Sequence, residues 1–157
     1  VRRIAITGHR GLPPDAEALI DRAIRARLEP LRGRLIGLSC LADGADALFA
    51  RAVLDLGAPL EAIVPAERYR AGLPADHHPV YDALLAHARL VHRLPHVDST
   101  ARAHLEAGHY MVDHCDELIA VWDGRPARGP GGTADIVDYA RAADRATTVV
   151  WPEGARR

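Results

Sequence analysis
The chain contains no lysine: all 20 of its basic residues are arginine. That absence excludes a lysine Schiff base and the phosphate-binding lysine of a Walker loop. Any phosphate recognition must come from arginine forks and backbone N–H groups. Aromatic residues are also scarce, at 4%, and the formal net charge is −1. A dedicated nucleic-acid surface normally shows a basic stripe or stacking rings, so nucleic acid is not an expected partner. The two cysteines, Cys40 and Cys115, lie too far apart in sequence to suggest a disulfide framework or a cysteine-rich zinc module. They read as small buried apolar residues. No apolar run approaches the roughly 18 residues of a membrane span, and the start lacks a signal-peptide h-region. These absences lead us to expect a soluble cytoplasmic protein with no membrane partner.

What is present is globular material: 157 residues, 48% hydrophobic and 26% charged, sufficient for one domain over 1–157 with its own core. Apolar runs alternate with helical periods. Ile4 to Ile6 read as a buried strand entering a loop at Thr7-Gly8. Ala16, Leu19, Ile20, Ala23, Ile24 and Leu28 then recur at helical spacing, with Asp15 placed to cap them. "RLIGLSCLA" predicts a second strand, and the next helix carries Ala45, Leu48, Phe49, Ala52, Val53 and Leu56 on one face. "LEAIVPA" predicts a third strand, "YDALLAHARL" a short helix, and "VHRLPHV" an edge strand weakened by Pro95. A helix capped by Ser99 or Thr100, the strand "ELIAVWD", the helix "TADIVDYARAAD" and the strand "TTVVWP" complete the pattern. The alternation predicts an α/β fold: a single three-layer Rossmann-like domain with a mostly parallel sheet.

In such sheets ligands bind beyond the carboxyl ends of the strands. Four polar clusters fall there: Thr7-Gly8-His9-Arg10, Ser39 through Asp46, Pro65 through Arg68, and Asp123 through Asp135. The last carries the strongest signal. After Asp123-Gly124, a loop bearing Arg125 and Arg128 leads to Gly131-Gly132-Thr133, which opens a helix. Glycine permits close backbone approach, and a helix N-terminus is a ready anion site. A plain strand-to-helix turn would also favour Gly-Gly. In the second cluster Gly44 opens a helix, and Ser39, Asp43 and Asp46 offer groups for a sugar. Asp46 in a first turn also suits the helix dipole. Arg102 and Tyr110 share a helix directed at the rim, for a phosphate and a base respectively, or simply as a solvated and a half-buried residue.

Glu106, His109 and Asp113 share one helix face, but a di-iron bundle site needs a second Glu-x-x-His, which is absent. Metal and cofactor are not expected. Ser39 lacks the G-x-S-x-G elbow of a hydrolase nucleophile.

The segments "ITGHR", "LSCLADGADALFARAVLDLGA", "AIVP", "YMVDHCDELIAVWDG" and "GGTADIVDYA" resemble, in this order, the superfamily that joins the SMF/DprA proteins to the lonely-guy phosphoribohydrolases, often called SLOG. The resemblance runs from Ile6 to about Ala140. It implies a Rossmann-like sheet whose rim binds a nucleotide or nucleotide-derived ligand, commonly in a homodimer. Lonely-guy enzymes cleave the N-glycosidic bond of nucleoside 5′-monophosphates with an arginine and the glutamate of a P-G-G-x-G-T-x-x-E motif. Here the position three after Thr133 is Ile136, and an apolar side chain cannot stabilise an oxocarbenium-like centre. Asp135 points about 100° away around a helix. The resemblance therefore implies a sensor-like nucleotide binder of the uncharacterised bacterial branch, with Thr7, Gly8, His9, Arg10, Ser39, Asp43, Gly44, Asp46, Asp123, Gly124, Gly131, Gly132, Thr133 and Asp135 around the ligand. The alternative is a hydrolase in which Asp135 or Glu106, with Arg102, replaces the missing glutamate.

Overall fold
The computed structural model describes residues 1–127 and 132–157. Six strands form one sheet in the order β4-β3-β2-β1-β5-β6: β1 Arg2–Gly8, β2 Leu35–Ser39, β3 Leu60–Val64, β4 Leu90–Arg93, β5 Glu117–Val121 and β6 Ala146–Val150. Every pairing is parallel, so the sheet is fully rather than mostly parallel. The strands require helical crossovers, and α1 (Pro14–Leu28), α2 (Ala45–Asp55), α3 (His78–Ala86), α4 (Ala101–Asp113) and α5 (Thr133–Ala142) supply them.

Alternate strand residues feed two cores. Ile4, Ile6, Leu60, Ala62 and Ile119 pack under α1, α2 and α3, with Phe49 fully buried among them. Ala5, Leu38, Ile63 and Leu118 pack under α4 and α5 with Ala107, Met111 and Ile136. Burial on both faces accounts for the continuous apolar runs of β3 and β5. The strand order reverses between β1 and β5, the position at which ligands bind in open parallel sheets.

Some local expectations need correction and others are narrowed. Asp15 does not cap α1: Pro13 is the N-cap, Pro14 opens the helix, and Asp15 lies in the first turn. Proline at the start needs no N–H partner and presets the helical φ. Helix α3 begins at His78, three residues before the predicted start, again with a proline at its opening. Strand β4 stops at Arg93, before Pro95, and occupies the sheet edge. Thr100 rather than Ser99 caps α4, accepting the Ala103 N–H at 3.1 Å.

Candidate functional site
The carboxyl end of β1 is stitched to the start of α2. The Ala45 N–H donates to the His9 carbonyl at 3.2 Å. Asp43 accepts Arg10 Nε at 2.9 Å and the Gly11 N–H at 3.0 Å. Both glycines at this junction are sterically required. A Cβ on Gly8 would lie 2.5 Å from Ala45 Cβ and 2.7 Å from Val121 Cβ; one on Gly44, whose φ is +86°, would lie 2.5 Å from the His9 carbonyl oxygen.

Above this junction opens a cleft of about 360 Å³, within the range of small-molecule sites. Its floor is the end of β1, Ile6 through Arg10. Cys40, Ala42, Asp46, Pro65 and Tyr69 line the side toward β2 and β3. His104, Gly108 and Met111 of α4 form one wall, and Gly132, Thr133, Ile136 and Arg157 close the side toward β5. Sequence segments more than 120 residues apart in numbering, Ile6 and Arg157 among them, therefore meet at one site. The helices opening onto the cleft, α2 and α5, have Gly44 and Gly132 as N-caps with no side-chain cap. The positive end of each helix dipole therefore lies at the rim, although the Ala45 and Ala47 N–H groups of α2 already donate to the His9 and Ala42 carbonyls, and the Asp135 N–H of α5 to Gly132.

The electrostatics differ across the cleft. On the β5 side His9 Nε2 accepts the Asp123 N–H at 3.1 Å, and Asp123 Oδ2 lies 3.3 Å from Arg157 Nη1. Burial alone would raise the Asp123 carboxyl, but the Arg125 N–H, His9 and Arg157 outweigh it and hold the group below its ordinary value. On the β2 side the balance reverses. Burial pushes Asp46 up to about 7, only partly countered by the Ala42 N–H and the charge of Arg10. Burial also raises the Cys40 thiol well above its ordinary value, with help from Asp46, so it is no ready nucleophile. Burial, then Arg10, lowers His104 and so favours its neutral ring, which bonds Ser99 Oγ through Nε2 at 2.7 Å.

Of the residues expected around a ligand, Thr7, Gly8, His9, Arg10, Asp46, Gly132 and Thr133 line this cleft. Others serve it from behind. Asp43 holds Arg10, and Gly44 allows α2 to start against β1. Ser39 is fully buried; its hydroxyl donates to the Asp46 carbonyl and accepts the Leu41 N–H, both at 3.0 Å. It fixes the turn around Leu41, whose φ of +63° is unusual for a branched residue, and offers nothing to a sugar. Asp123 anchors the floor, and Gly124 turns the chain with φ +82°. Arg125 contributes its backbone, donating N–H to Asp123 and accepting Trp122 Nε1. Gly131 and Arg128 lie outside the described residues.

The three weak catalytic candidates do not line the cleft. Glu106 is bonded to His96 and Arg102, and Arg102 is itself solvent-exposed. Asp135 lies one position from Ile136, which is the residue of α5 that turns inward and fills the space above Gly108. Tyr110 faces away from the rim: its hydroxyl donates to His92 Nδ1 at 3.1 Å. Tyr69, His104 and Arg157 went unnoticed in the sequence. Tyr69 stands in a loop without periodicity, and Arg157 reaches the rim only because the chain after β6 runs back across it. Among the described residues no group of three or more His, Cys, Asp or Glu side chains is arranged to hold a metal, and no helix is long and apolar enough to cross a membrane.

The chain matches no protein-family model and no curated protein. Solved structures do resemble it. DNA processing protein A from Streptococcus pneumoniae superposes with a TM-score of 0.70 at 16% identity, over 98% of this chain and 51% of that one. DNA processing protein A from Helicobacter pylori, described for its single-stranded DNA binding mode, gives 0.71 at 14% identity over 98% and 67%. The molybdenum cofactor binding protein of Rippkaea orientalis gives 0.62 at 13% identity over 94% and 75%. The chain thus spans about half the length of the Streptococcus protein. At these identities the likeness shows the fold, and it is the fold that the SLOG resemblance implies. The chain is a Rossmann-like α/β domain with a rim cleft at the reversal between β1 and β5.

Proposed function
We propose that the cleft binds a nucleotide or nucleotide-derived small molecule and that the domain acts as a ligand sensor. The observation that carries this reading is the union, in one cleft, of an α5 N-terminus whose N-cap, Gly132, makes no side-chain cap bond, Thr133, Arg10 and Arg157 with a buried apolar and aromatic wall. The first group suits a phosphate through charge-assisted bonds. The second suits a ring. A homodimer in the cytoplasm completes the proposal, and two free thiols fit a reducing compartment.

Hydrolysis of an N-glycosidic bond is the second reading, and one observation favours it. The described lining contains a single carboxyl group, Asp46, and its proton is held to about 7, suited to general-acid work. Against it stands Ile136, which places hydrocarbon in the wall of the cleft where a glutamate would be needed. Single-stranded DNA also enters the test, because the Helicobacter neighbour is described as binding it.

Native mass spectrometry after incubation with nucleoside mono-, di- and triphosphates, cyclic dinucleotides and a short single-stranded oligonucleotide tests all three. The expected result is an intact small nucleotide retained by a dimer, with no free base, and its loss in the Arg10→Ala, Gly132→Ala double variant. Release of free base would establish the enzyme. Retention of the oligonucleotide alone would move the function to DNA.

A further inference from the structure
The β2 side of the cleft carries chemistry that a phosphate does not use. Asp46 stands in the first turn of α2 facing the cleft, and no described side chain hydrogen-bonds or ion-pairs with its carboxylate. The nearest cation by charge effect, Arg10, has its Nε on Asp43. The surrounding wall is Cys40, Pro65, Tyr69 and His104. Tyr69 is 4% exposed and fixed edge-on against Tyr81 and His104, with ring centroids 5.9 and 5.6 Å away.

We propose that Asp46 reads the base of the bound nucleotide, its two carboxylate oxygens accepting two adjacent N–H groups from one ring edge, as guanine presents at N1 and N2. The inference rests on the nucleotide reading above and names the ligand class for the same cleft. A sugar is the poorer occupant of this side. Its hydroxyls would lose water against a wall of hydrocarbon and ring edges, which returns few hydrogen bonds, whereas the faces of a planar base lose nothing there. Adenine is also a poor match, because its N1 lone pair would oppose one carboxylate oxygen while only N6 donates. Uracil offers one N–H between two carbonyls. Guanine and a pterin share the 2-amino-4-oxo edge that supplies both donors, and a carboxylate accepts such a pair in parallel.

Only the ionised carboxylate can accept both N–H groups. The titratable groups that act on its charge are Arg10 after β1, Cys40 and Asp43 after β2 and Tyr69 after β3, and His9 and His104 line the same cleft. Burial keeps the Asp46 proton on to about 7, so affinity for the two-donor ring rises as pH goes from 6 to 8. Burial and then Arg10 lower His104, which favours its neutral ring beside Asp46.

Calorimetric titration of the chain with GMP, IMP, AMP, ribose 5-phosphate and a pterin phosphate at pH 6, 7 and 8, repeated on Asp46→Asn, tests the proposal. GMP should bind roughly 10- to 100-fold more tightly than AMP or ribose 5-phosphate, the discrimination expected of one bidentate pair. IMP, with one donor, should fall between. In Asp46→Asn the GMP preference and its pH dependence should vanish, and AMP should gain, since a carboxamide offers a donor beside an acceptor. Ribose 5-phosphate should bind both proteins alike, which also reports that the variant is folded. A pterin phosphate tighter than GMP would keep the donor edge and assign it to the pterin. An unchanged base ranking in Asp46→Asn, or ribose 5-phosphate as tight as GMP, overturns the role of Asp46 while leaving a phosphate site. Absence of any binding to the unaltered chain overturns the nucleotide reading itself.

Discussion

At the amino end of the strands Glu61 and Glu117 are each 2% exposed, and each is gripped by arginines. Arg3 forks onto Glu61 at 3.0 and 3.1 Å, with His92 Nε2 at 3.1 Å. Arg27 Nη2 lies 2.7 Å from both oxygens of Glu117, and Thr148 Oγ1 donates to it at 2.7 Å. At the carboxyl end Asp46 is half-buried in the cleft wall and meets no side-chain partner among the described residues. Burial raises Glu61 too, yet Arg3 and His92 outweigh it and leave the carboxyl below its ordinary value, whereas Asp46 stays raised. The same physics, desolvation of a carboxylate, is neutralised at one end and left standing at the other. The carboxylates of the amino end hold the sheet; at the carboxyl end Asp123 is balanced in the same way and Asp46 is not.

The comparison can be broken most severely at the amino end. Arg2→Ala with Arg27→Ala strands Glu117 without its cations, and urea unfolding should show a loss of about 3–5 kcal/mol. A loss under about 1 kcal/mol would mean that water reaches the carboxylate and that the ion pairs are ornamental.

At the carboxyl end backbone geometry, not charge, is the vulnerable feature. Gly44→Ala forces a Cβ at φ +86° to within 2.5 Å of the His9 carbonyl and should cost about 2–3 kcal/mol. Gly57, with φ +73° and open space around it, is the control, and its alanine variant should cost only about 1 kcal/mol. Equal losses would remove the claim that β1 and α2 are held at contact distance.

Asp46→Asn should act in the opposite sense. The folded carboxyl titrates near 7 against an ordinary value of 3.8, so the native state binds the extra proton between those values. Stability contributed by this group is therefore complete below about 4 and declines as pH rises through about 7. The asparagine variant should lack that decline and be more stable at pH 8 by on the order of 1–2 kcal/mol, a figure kept small because the group borders the open cleft. Thermal unfolding against pH reads it directly; parallel curves for both proteins would show that Asp46 is well solvated.

Thr100→Ala sets the smallest effect, about 1 kcal/mol for a lost N-cap. It sharpens the contrast between α4, which has a side-chain cap, and α2 and α5, which have none and face the cleft. Chemical denaturation should detect it without any change in ligand binding.

Much of this was legible in the chain. Continuous apolar runs identified the central strands, because burial on both faces of a parallel sheet leaves no polar alternation to confuse them. The partly exposed edge strands β4 and β6 were legible mainly from their place in the alternation. Helix starts were less legible, since Pro13-Pro14 and Pro79 open helices without the side-chain signature of a cap. The glycine and arginine clusters located the rim, but residue type alone did not distinguish a ligand contact from its support. Ser39, Asp43 and Asp123 read as ligand groups, and the structure shows them holding a turn, an arginine and the cleft floor.

The sequence by itself determined the alternation, the parallel sheet and the side of it where the cleft opens, because these follow from local periodicity and the handed connection of strands. Tertiary structure alone decided that Asp46 would meet Tyr69 and His104, that Ile136 would turn toward Gly108, and that Arg157 would reach the same cleft as Arg10. Those meetings depend on strand order and on where helices from opposite faces converge, and no window of sequence contains both partners.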